Sequence, residues 1–248
     1  MGADISSVYS KPFFELQLAL ARKIADLLQQ PLEQAVLQRT AFYRILGLDW
    51  SLDPTNPIWQ SYVQGLQGRP ADIDYTYQFY LQRLDKIPTF AAQEHWGCFA
   101  YDYNTAAKRM HFHFGDQDTS PYSALSHQRI NARKSELQAM FTIIQRRHPD
   151  AELVIGGSWL YNWDAYKRLF PPIYGQSTYE DKVVALIGRN IWGQFLRRNG
   201  QVHRETMELF LQRVSQLERT EDYPQCFPYP SLHTQAPIQA FYTFYGIA

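Results

Sequence analysis

The sequence contains very little cysteine. Only Cys98 and Cys226 occur among 248 residues, which is too few for a disulfide framework in a chain of this length. Because a low cysteine content is typical of reducing compartments, we expect a cytoplasmic protein. Both thiols stand among aromatic residues in the sequence, which favours buried, inert side chains over activated nucleophiles.

The sequence also lacks an excess of one charge and any long apolar run. Lys plus Arg and Asp plus Glu number 24 each, so no overall field exists to hold duplex DNA or an anionic membrane. No stretch approaches the roughly 20 apolar residues that span a bilayer, and residues 1–10 lack the pattern of a signal peptide. We therefore expect a soluble protein with no nucleic-acid or membrane partner, and its oligomeric state stays open.

Aromatic residues, in contrast, are abundant. Tyr, Phe and Trp number 17, 15 and 6 and make up 15% of the chain. Since each ring buries a large area, a core built from bulky rings explains this content. An aromatic-lined pocket for an organic ligand is the functional alternative.

The first part of the chain carries apolar residues at steps of three and four. This spacing predicts helices over residues 11–29 and 31–46, a third beginning at Pro57 and a fourth over 72–84. Pro57 fits a helix start because its missing N–H is not needed there. We therefore expect a helical N-terminal region, residues 1–95.

From Gly97 the pattern changes to short aromatic runs. Residues 98–103 and 109–114 predict a β-hairpin, and a loop over 115–123 then leads to a strong helix over 126–147. The later predicted elements are a strand over 151–155 stopped by two glycines, a helix over 162–169, a strand or buried helix over 183–195, a helix over 204–217 and a terminal strand over 240–245.

Two histidines stand two apart on the second predicted strand. His111 and His113 therefore point to the same face, and Asp116 lies just beyond the end of the strand. Two imidazoles and a carboxylate suit zinc or iron and leave positions open for water or substrate. Because Phe112 and Phe114 alternate with the histidines, a strand with one polar face explains the same sequence pattern. Both interpretations stay open.

The loop from Gly115 leads into the predicted helix at Ser126, with Arg129 on the first turn. A helix N-terminus offers unpaired N–H groups and the positive end of the helix dipole, where a phosphate or a carboxylate can rest. In the alternative interpretation, Ser126 only caps the helix and the loop is a solvated connection.

Ser158 follows two glycines at the end of a predicted strand, where active residues of α/β units often lie. The order Gly-Gly-Ser-Trp-Leu differs from the nucleophile elbow because Leu160 replaces the second glycine. The two interpretations are a hydrolase triad built on Ser158 and close packing allowed by the glycines.

From Trp96 to Pro171 the order of features resembles the GNAT-like C-terminal domain that follows a helical domain in some bacterial predicted N-acyltransferases. The resemblance implies an α+β fold, with the helical region followed by a GNAT-like α/β/α mixed sheet over residues 96–248. The segments that carry it are Gly97–Tyr103, Met110–Phe114, Leu125–Phe141, Ser158-Trp159-Leu160 and Leu169-Phe170-Pro171.

The GNAT superfamily holds the pyrophosphate of acyl-CoA at the start of the helix that follows a central strand. The resemblance therefore implies acyl-CoA as the cofactor. The usual Arg or Gln followed by two spaced glycines is absent between Gly115 and Ile130. The cofactor-binding residues implied here are Gly115, Ser123, Ser126 and Arg129.

The implied activity is an acyltransferase-like reaction that moves an acyl group from an acyl thioester to the amine or hydroxyl of a small-molecule substrate. His111 or His113 would act as the base and Tyr166 as a general acid, with Ser158 as a further catalytic candidate. Two alternatives stay open. One is a metal-dependent enzyme that uses His111, His113 and Asp116, and the other is a noncatalytic binding or scaffold protein.

Overall fold

The computed structural model describes residues 8–66, 73–87, 94–180, 184–188 and 190–248. The chain divides into two compact units, and each unit is built from two stretches of sequence. The helical unit comprises Met1–Phe90 and Lys182–Pro230, and the sheet unit comprises Ala91–Asp181 and Ser231–Ala248. The predicted second domain, residues 96–248, therefore contains residues of both units.

Ten α-helices and five β-strands occur among the described residues. The helices are α1 (Lys11–Leu28), α2 (Leu32–Arg39), α3 (Phe42–Ile45), α4 (Pro57–Leu66), α5 (Ile73–Leu81), α6 (Ile130–Arg147), α7 (Asp164–Lys167), α8 (Pro172–Gln176), α9 (Arg204–Ser215) and α10 (Ile238–Tyr245). The strands are β1 (Phe99–Asn104), β2 (Arg109–Phe114), β3 (Leu153–Ser158), β4 (Tyr179–Glu180) and β5 (Leu232–Pro237). Short 3-10 helices lie at Leu84–Lys86, His127–Arg129, Trp159–Asn162, Ile191–Phe195 and Thr220–Cys226.

The helical unit is organised around α1, which packs against α2, α5 and α9. The ring of Phe14 lies 5.4 Å from that of Phe42 and 4.8 Å from that of Tyr80. Gln17 is fully buried in this helix, and its side chain satisfies both polar atoms by donating to the carbonyl of Phe13 and accepting from the N–H of Ala41. Aromatic rings thus form the core, as their abundance predicted.

The five strands form one mixed sheet in the order β1-β2-β3-β5-β4. The β2 and β3 strands are parallel, and every other neighbouring pair is antiparallel. Strands β1 and β2 form the predicted hairpin, with Asp102 opposite His111. Helices together with a mixed sheet confirm the predicted α+β class.

One face of the sheet forms the core of the sheet unit. Alternate strand residues such as Met110, Phe112 and Val154 are buried on this face together with Phe141 of α6 and Phe241 of α10. The rings of Phe141 and Phe241 stack with their centroids 4.8 Å apart. The other face of the same strands therefore carries the remaining side chains.

The predicted terminal strand over 240–245 is wrong, because these residues belong to α10. Its buried residues, Ile238, Phe241, Tyr242 and Tyr245, follow the helical spacing of three, four and seven. The strand of this region is β5, directly upstream. The sequence pattern does not predict a strand over residues 232–237, because only pairing with β3 shows that they belong to the sheet.

Strand β3 continues through Gly156 and Gly157, which we expected to stop it. A Cβ atom on Gly156 would lie 2.2 Å from the hydroxyl oxygens of both Tyr161 and Tyr174. The glycine therefore allows close packing against the core. Of the predicted strand or helix over 183–195, Ile191–Phe195 forms a 3-10 helix, and residues 183 and 189 lie outside the described residues.

Candidate functional site

The face of the sheet opposite the core carries polar side chains and an open cleft. Alternation along β2 buries Phe112 on the core face and places His111 and His113 on the other face, as predicted. The cleft has a volume of about 490 Å³. Its lining residues are Asp102, Tyr103, Asn104, Ala107, Arg109, His111 and Ile155.

Two histidines and one carboxylate meet beside this cleft, and two of the three, Asp102 and His111, line it. Nε2 of His113 and Oδ2 of Asp102 are 2.6 Å apart, and the rings of His111 and His113 lie 4.6 Å apart at an angle of 69°. One potential ligand atom from each of the three residues lies within 4.8 Å of the other two. Asp102 and His113 are 68% and 40% exposed, so ions and small molecules reach the group.

The environment of His111 favours its neutral form. Burial lowers the pKa of His111, and the neighbouring charge of His113 lowers it further. Asp102 opposes this shift, and His233 reinforces it. A neutral imidazole has a free nitrogen lone pair, so His111 is able to act as a metal ligand or as a base near neutral pH.

A third histidine lies on the same face. His233 of β5 pairs with Gly157, and its ring stacks on Tyr179 with the centroids 5.6 Å apart. A Cβ atom on Gly157 would lie 3.2 Å from Cε1 of His233, so the imidazole leans over the glycine. Sequence spacing does not link this residue to the other two histidines, because 120 residues or more separate it from them.

The carboxylate that joins the imidazoles is Asp102 rather than the predicted Asp116. Among the described residues, the group with metal-ligand spacing consists of Asp102, His111 and His113. Asp116 is exposed beyond the end of β2. Antiparallel pairing brings Asp102 directly opposite His111, and this cross-strand register was the signal that could have identified it.

Two arginines near the start of the helix that follows β2 hold an anion, and this anion belongs to the chain itself. The carboxylate of Asp118 accepts hydrogen bonds from Nε of Arg129 at 2.6 Å and from the N–H of Ser120 at 2.8 Å. Nη1 of Arg133 lies 3.0 Å from the same carboxylate. Burial raises the pKa of Asp118, but the bonds from Arg129 and Ser120 and the charge of Arg133 together hold that pKa well below its ordinary value.

The four predicted cofactor-binding residues have different surroundings in the structure. Arg129 pairs with Asp118, whose side chain is 2% exposed. Ser126 makes no capping hydrogen bond, contrary to the capping interpretation, and its buried Oγ has no hydrogen-bond partner among the described residues. Gly115 and Ser123 are exposed in the connecting loop.

Arg133 contacts further residues in addition to Asp118. Its Nη2 contacts Glu136 at 2.5 Å, and Nη1 donates to the sulfur of Cys98 at 2.6 Å. Burial raises the pKa of Cys98, so its thiol stays protonated, as its aromatic surroundings predicted. We name Asp118, Arg129, Arg133 and Glu136 the buried charge network.

Tyr166 and Ser158 lie on the core side of the sheet, away from the two histidines. Tyr166 is 2% exposed and packs against Phe114 and Tyr161, and burial raises its pKa well above the ordinary value. Oγ of Ser158 accepts from the N–H of Leu160 at 3.1 Å and caps the following 3-10 helix. The structure does not bring these two predicted catalytic residues together with the imidazoles.

Comparison with known proteins adds no assignment to this geometry. No helix in the described ranges is long and apolar enough to cross a membrane. No protein-family model matches the chain, and neither a curated protein nor a solved structure matches it.

Proposed function

We propose that the chain is a metal-dependent enzyme that binds zinc or iron through Asp102, His111 and His113. The observation that carries the proposal is the grouping of their ligand atoms within 4.8 Å of one another beside an open cleft. Two imidazole nitrogens and one carboxylate oxygen are a preferred donor set for these metals.

Three protein ligands leave coordination positions for water and substrate. A metal in such a site activates water and polarises a carbonyl or phosphoryl oxygen, which suits hydrolysis or a related addition reaction. The cleft beside the three ligands is about 490 Å³, a volume within the range of small-molecule sites. A small-molecule substrate therefore fits the proposal.

The hydrogen bond between His113 and Asp102 would have to open when a metal binds to both groups. Their two atoms are 2.6 Å apart, too close to hold a metal between them in this arrangement. Because imidazole binds a metal only in its neutral form, metal affinity should rise with pH.

Zinc titration of the purified protein, followed by equilibrium dialysis and elemental analysis, tests the proposal. We expect one zinc per chain, and roughly 100-fold or greater loss of affinity in each of Asp102→Asn, His111→Gln and His113→Gln, because each change removes a ligand. Asp116→Asn is the matched control and should keep the affinity of the unsubstituted protein. Equal zinc affinity in all five proteins would contradict the proposal.

Acyl transfer is the second candidate, and the contact between His113 and Asp102 favours it. A carboxylate that orients an imidazole is the arrangement of a general base, which acyl transfer to an amine or hydroxyl requires. Because Arg129, a predicted cofactor-binding residue, already pairs with Asp118, the phosphates of acyl-CoA would have to displace this pair or bind elsewhere. Calorimetry of the metal-free protein with acetyl-CoA and free CoA tests this candidate, and no heat of binding at millimolar concentration would count against it.

A further inference from the structure

We infer that the substrate of this cleft carries an oxyanion, a carboxylate or a phosphate, and that Arg109 binds this group beside the metal. The inference deepens the proposed function and rests on it for the metal. It names the chemical class of the substrate and a residue that selects it.

The position of Arg109 supports this role. Arg109 is two residues before His111 on β2, so both side chains leave the same face of the sheet. Both residues line the cleft. Arg109 also pairs across the hairpin with Asn104, another lining residue, so the two lie next to each other at one end of the cleft.

Arg109 differs from Lys108 and Arg147, two other basic residues of the sheet unit, in having no partner in the described part of the chain. Among the described residues it forms no ion pair and no side-chain hydrogen bond, and it is exposed. Its chain neighbour Lys108 pairs with Glu152 at 2.6 Å, and Arg147 pairs with Glu94. The guanidinium in the cleft is therefore available to a ligand.

The charge of the cleft also favours an anion. Asp102 is the one acidic residue among those that line it. A single carboxylate leaves part of the charge of a divalent metal uncompensated, and Arg109 adds a further positive charge. Asn104 already accepts from the N–H of Ala107 through Oδ1 at 2.9 Å, so its amide nitrogen, a donor, is the group left for a ligand.

The guanidinium geometry points to oxyanions in particular. Its planar fork of N–H donors binds two oxygens of one carboxylate or phosphate at once, which a lysine ammonium cannot do. If Arg109 binds the anionic group of the substrate, a bond adjacent to that group would lie close to the metal.

Calorimetric titration of the zinc-loaded protein with methylphosphonate and with acetate tests the inference. We expect Arg109→Ala to weaken binding of the preferred anion about tenfold or more, and Arg109→Lys to weaken it by less. Arg146→Ala is the matched control, because Arg146 is also exposed and without a partner among the described residues but does not line the cleft. It should leave the affinity within twofold. Tighter binding of methylphosphonate would assign a phosphate substrate, and tighter binding of acetate a carboxylate.

The outcomes separate this inference from the proposed function. If all variants bind one zinc per chain but Arg109→Ala binds both anions as tightly as Arg146→Ala, the inference is overturned and the metal site stands. If the unsubstituted protein binds no zinc, the proposed function fails. The inference is then decided on the metal-free protein, where anion binding lost in Arg109→Ala supports it and anion binding unaffected by that change overturns it.

Discussion

The sheet unit contains two clusters of charged and ionisable residues that differ in how their charges are satisfied. In the buried charge network, Asp118 is 2% exposed and its carboxylate is bound by the chain's own Arg129 and Arg133. In the cleft, Asp102 is 68% exposed and Arg109 has no partner in the described part of the chain. Exposed groups that a ligand is able to reach therefore distinguish the candidate site from the buried charge network.

The difference in exposure separates charges that stabilise the fold from charges that a ligand is able to contact. Buried ions are costly unless other groups of the protein compensate them. The charges of the buried charge network therefore have to be paired for the sheet unit to be stable. The groups in the cleft are solvated and carry no such requirement. Substitutions should therefore affect folding in the network and ligand binding in the cleft.

The largest expected effect on stability is that of Asp118→Asn. The change removes the anion that Arg129 and Arg133 share in a buried site and leaves Glu136 as the one carboxylate of the network, which should lower the free energy of unfolding by about 3 kcal/mol. Urea denaturation at neutral pH measures this loss. Asp116→Asn, at an exposed position two residues away, should change stability by less than about 0.5 kcal/mol. If the two variants were equally stable, the claim that the buried charge network stabilises the fold would be contradicted.

Two adjacent glycines of β3 extend the comparison to the two faces of the sheet. Gly156→Ala should cost about 2 kcal/mol, because its Cβ would lie 2.2 Å from two buried tyrosine hydroxyls. Gly157→Ala should cost less than about 1 kcal/mol, because the half-buried imidazole of His233, 3.2 Å from the new Cβ, needs to shift only a little. Thermal and urea unfolding of both variants test this order. The reverse order would show that the cleft face is the more tightly packed one.

The smallest expected effect is a pH dependence that arises in the cleft. His111 has a pKa below its ordinary value of 6.5 in the folded protein, so the unfolded chain binds its proton more tightly. The contribution of neutral His111 to the free energy of unfolding is complete above pH 6.5. It is lost as the pH falls below 6.5 and through the lowered pKa. Unfolding measured between pH 5 and 8 should therefore depend less on pH in His111→Gln. Identical profiles for the variant and the unsubstituted protein would contradict the assigned environment.

Sequence periodicity predicted much of the fold but failed where distant segments meet. The helices near residues 11–29 and 126–147 and the hairpin before them follow from local patterns, which fix each element through its own residues. The return of the chain to the sheet unit at residue 231 leaves no local signal, since strand pairing with β3 is what places β5 in the sheet. For the same reason, α10 was mistaken for a strand on its aromatic content alone.

The candidate site shows the same division. Spacing of two residues placed His111 and His113 on one face, and the structure confirms this. Spacing did not reveal which carboxylate joins them, because the register of the hairpin sets Asp102 opposite His111. The catalytic roles of Tyr166, from the GNAT resemblance, and of Ser158, from its place after two glycines, stay predictions, although both side chains lie on the core side of the sheet.

Residue type and the period of a helix or a strand are enough to predict the α+β class, the aromatic core and the shared face of the two histidines. The tertiary fold, in contrast, pairs Asp118 with Arg129 and Arg133 and leaves Arg109, in the cleft that Asp102 also lines, without a partner among the described residues. The physical reason is that the pairing of charges depends on distances in space, and chain folding brings together groups whose separation in sequence carries no such information.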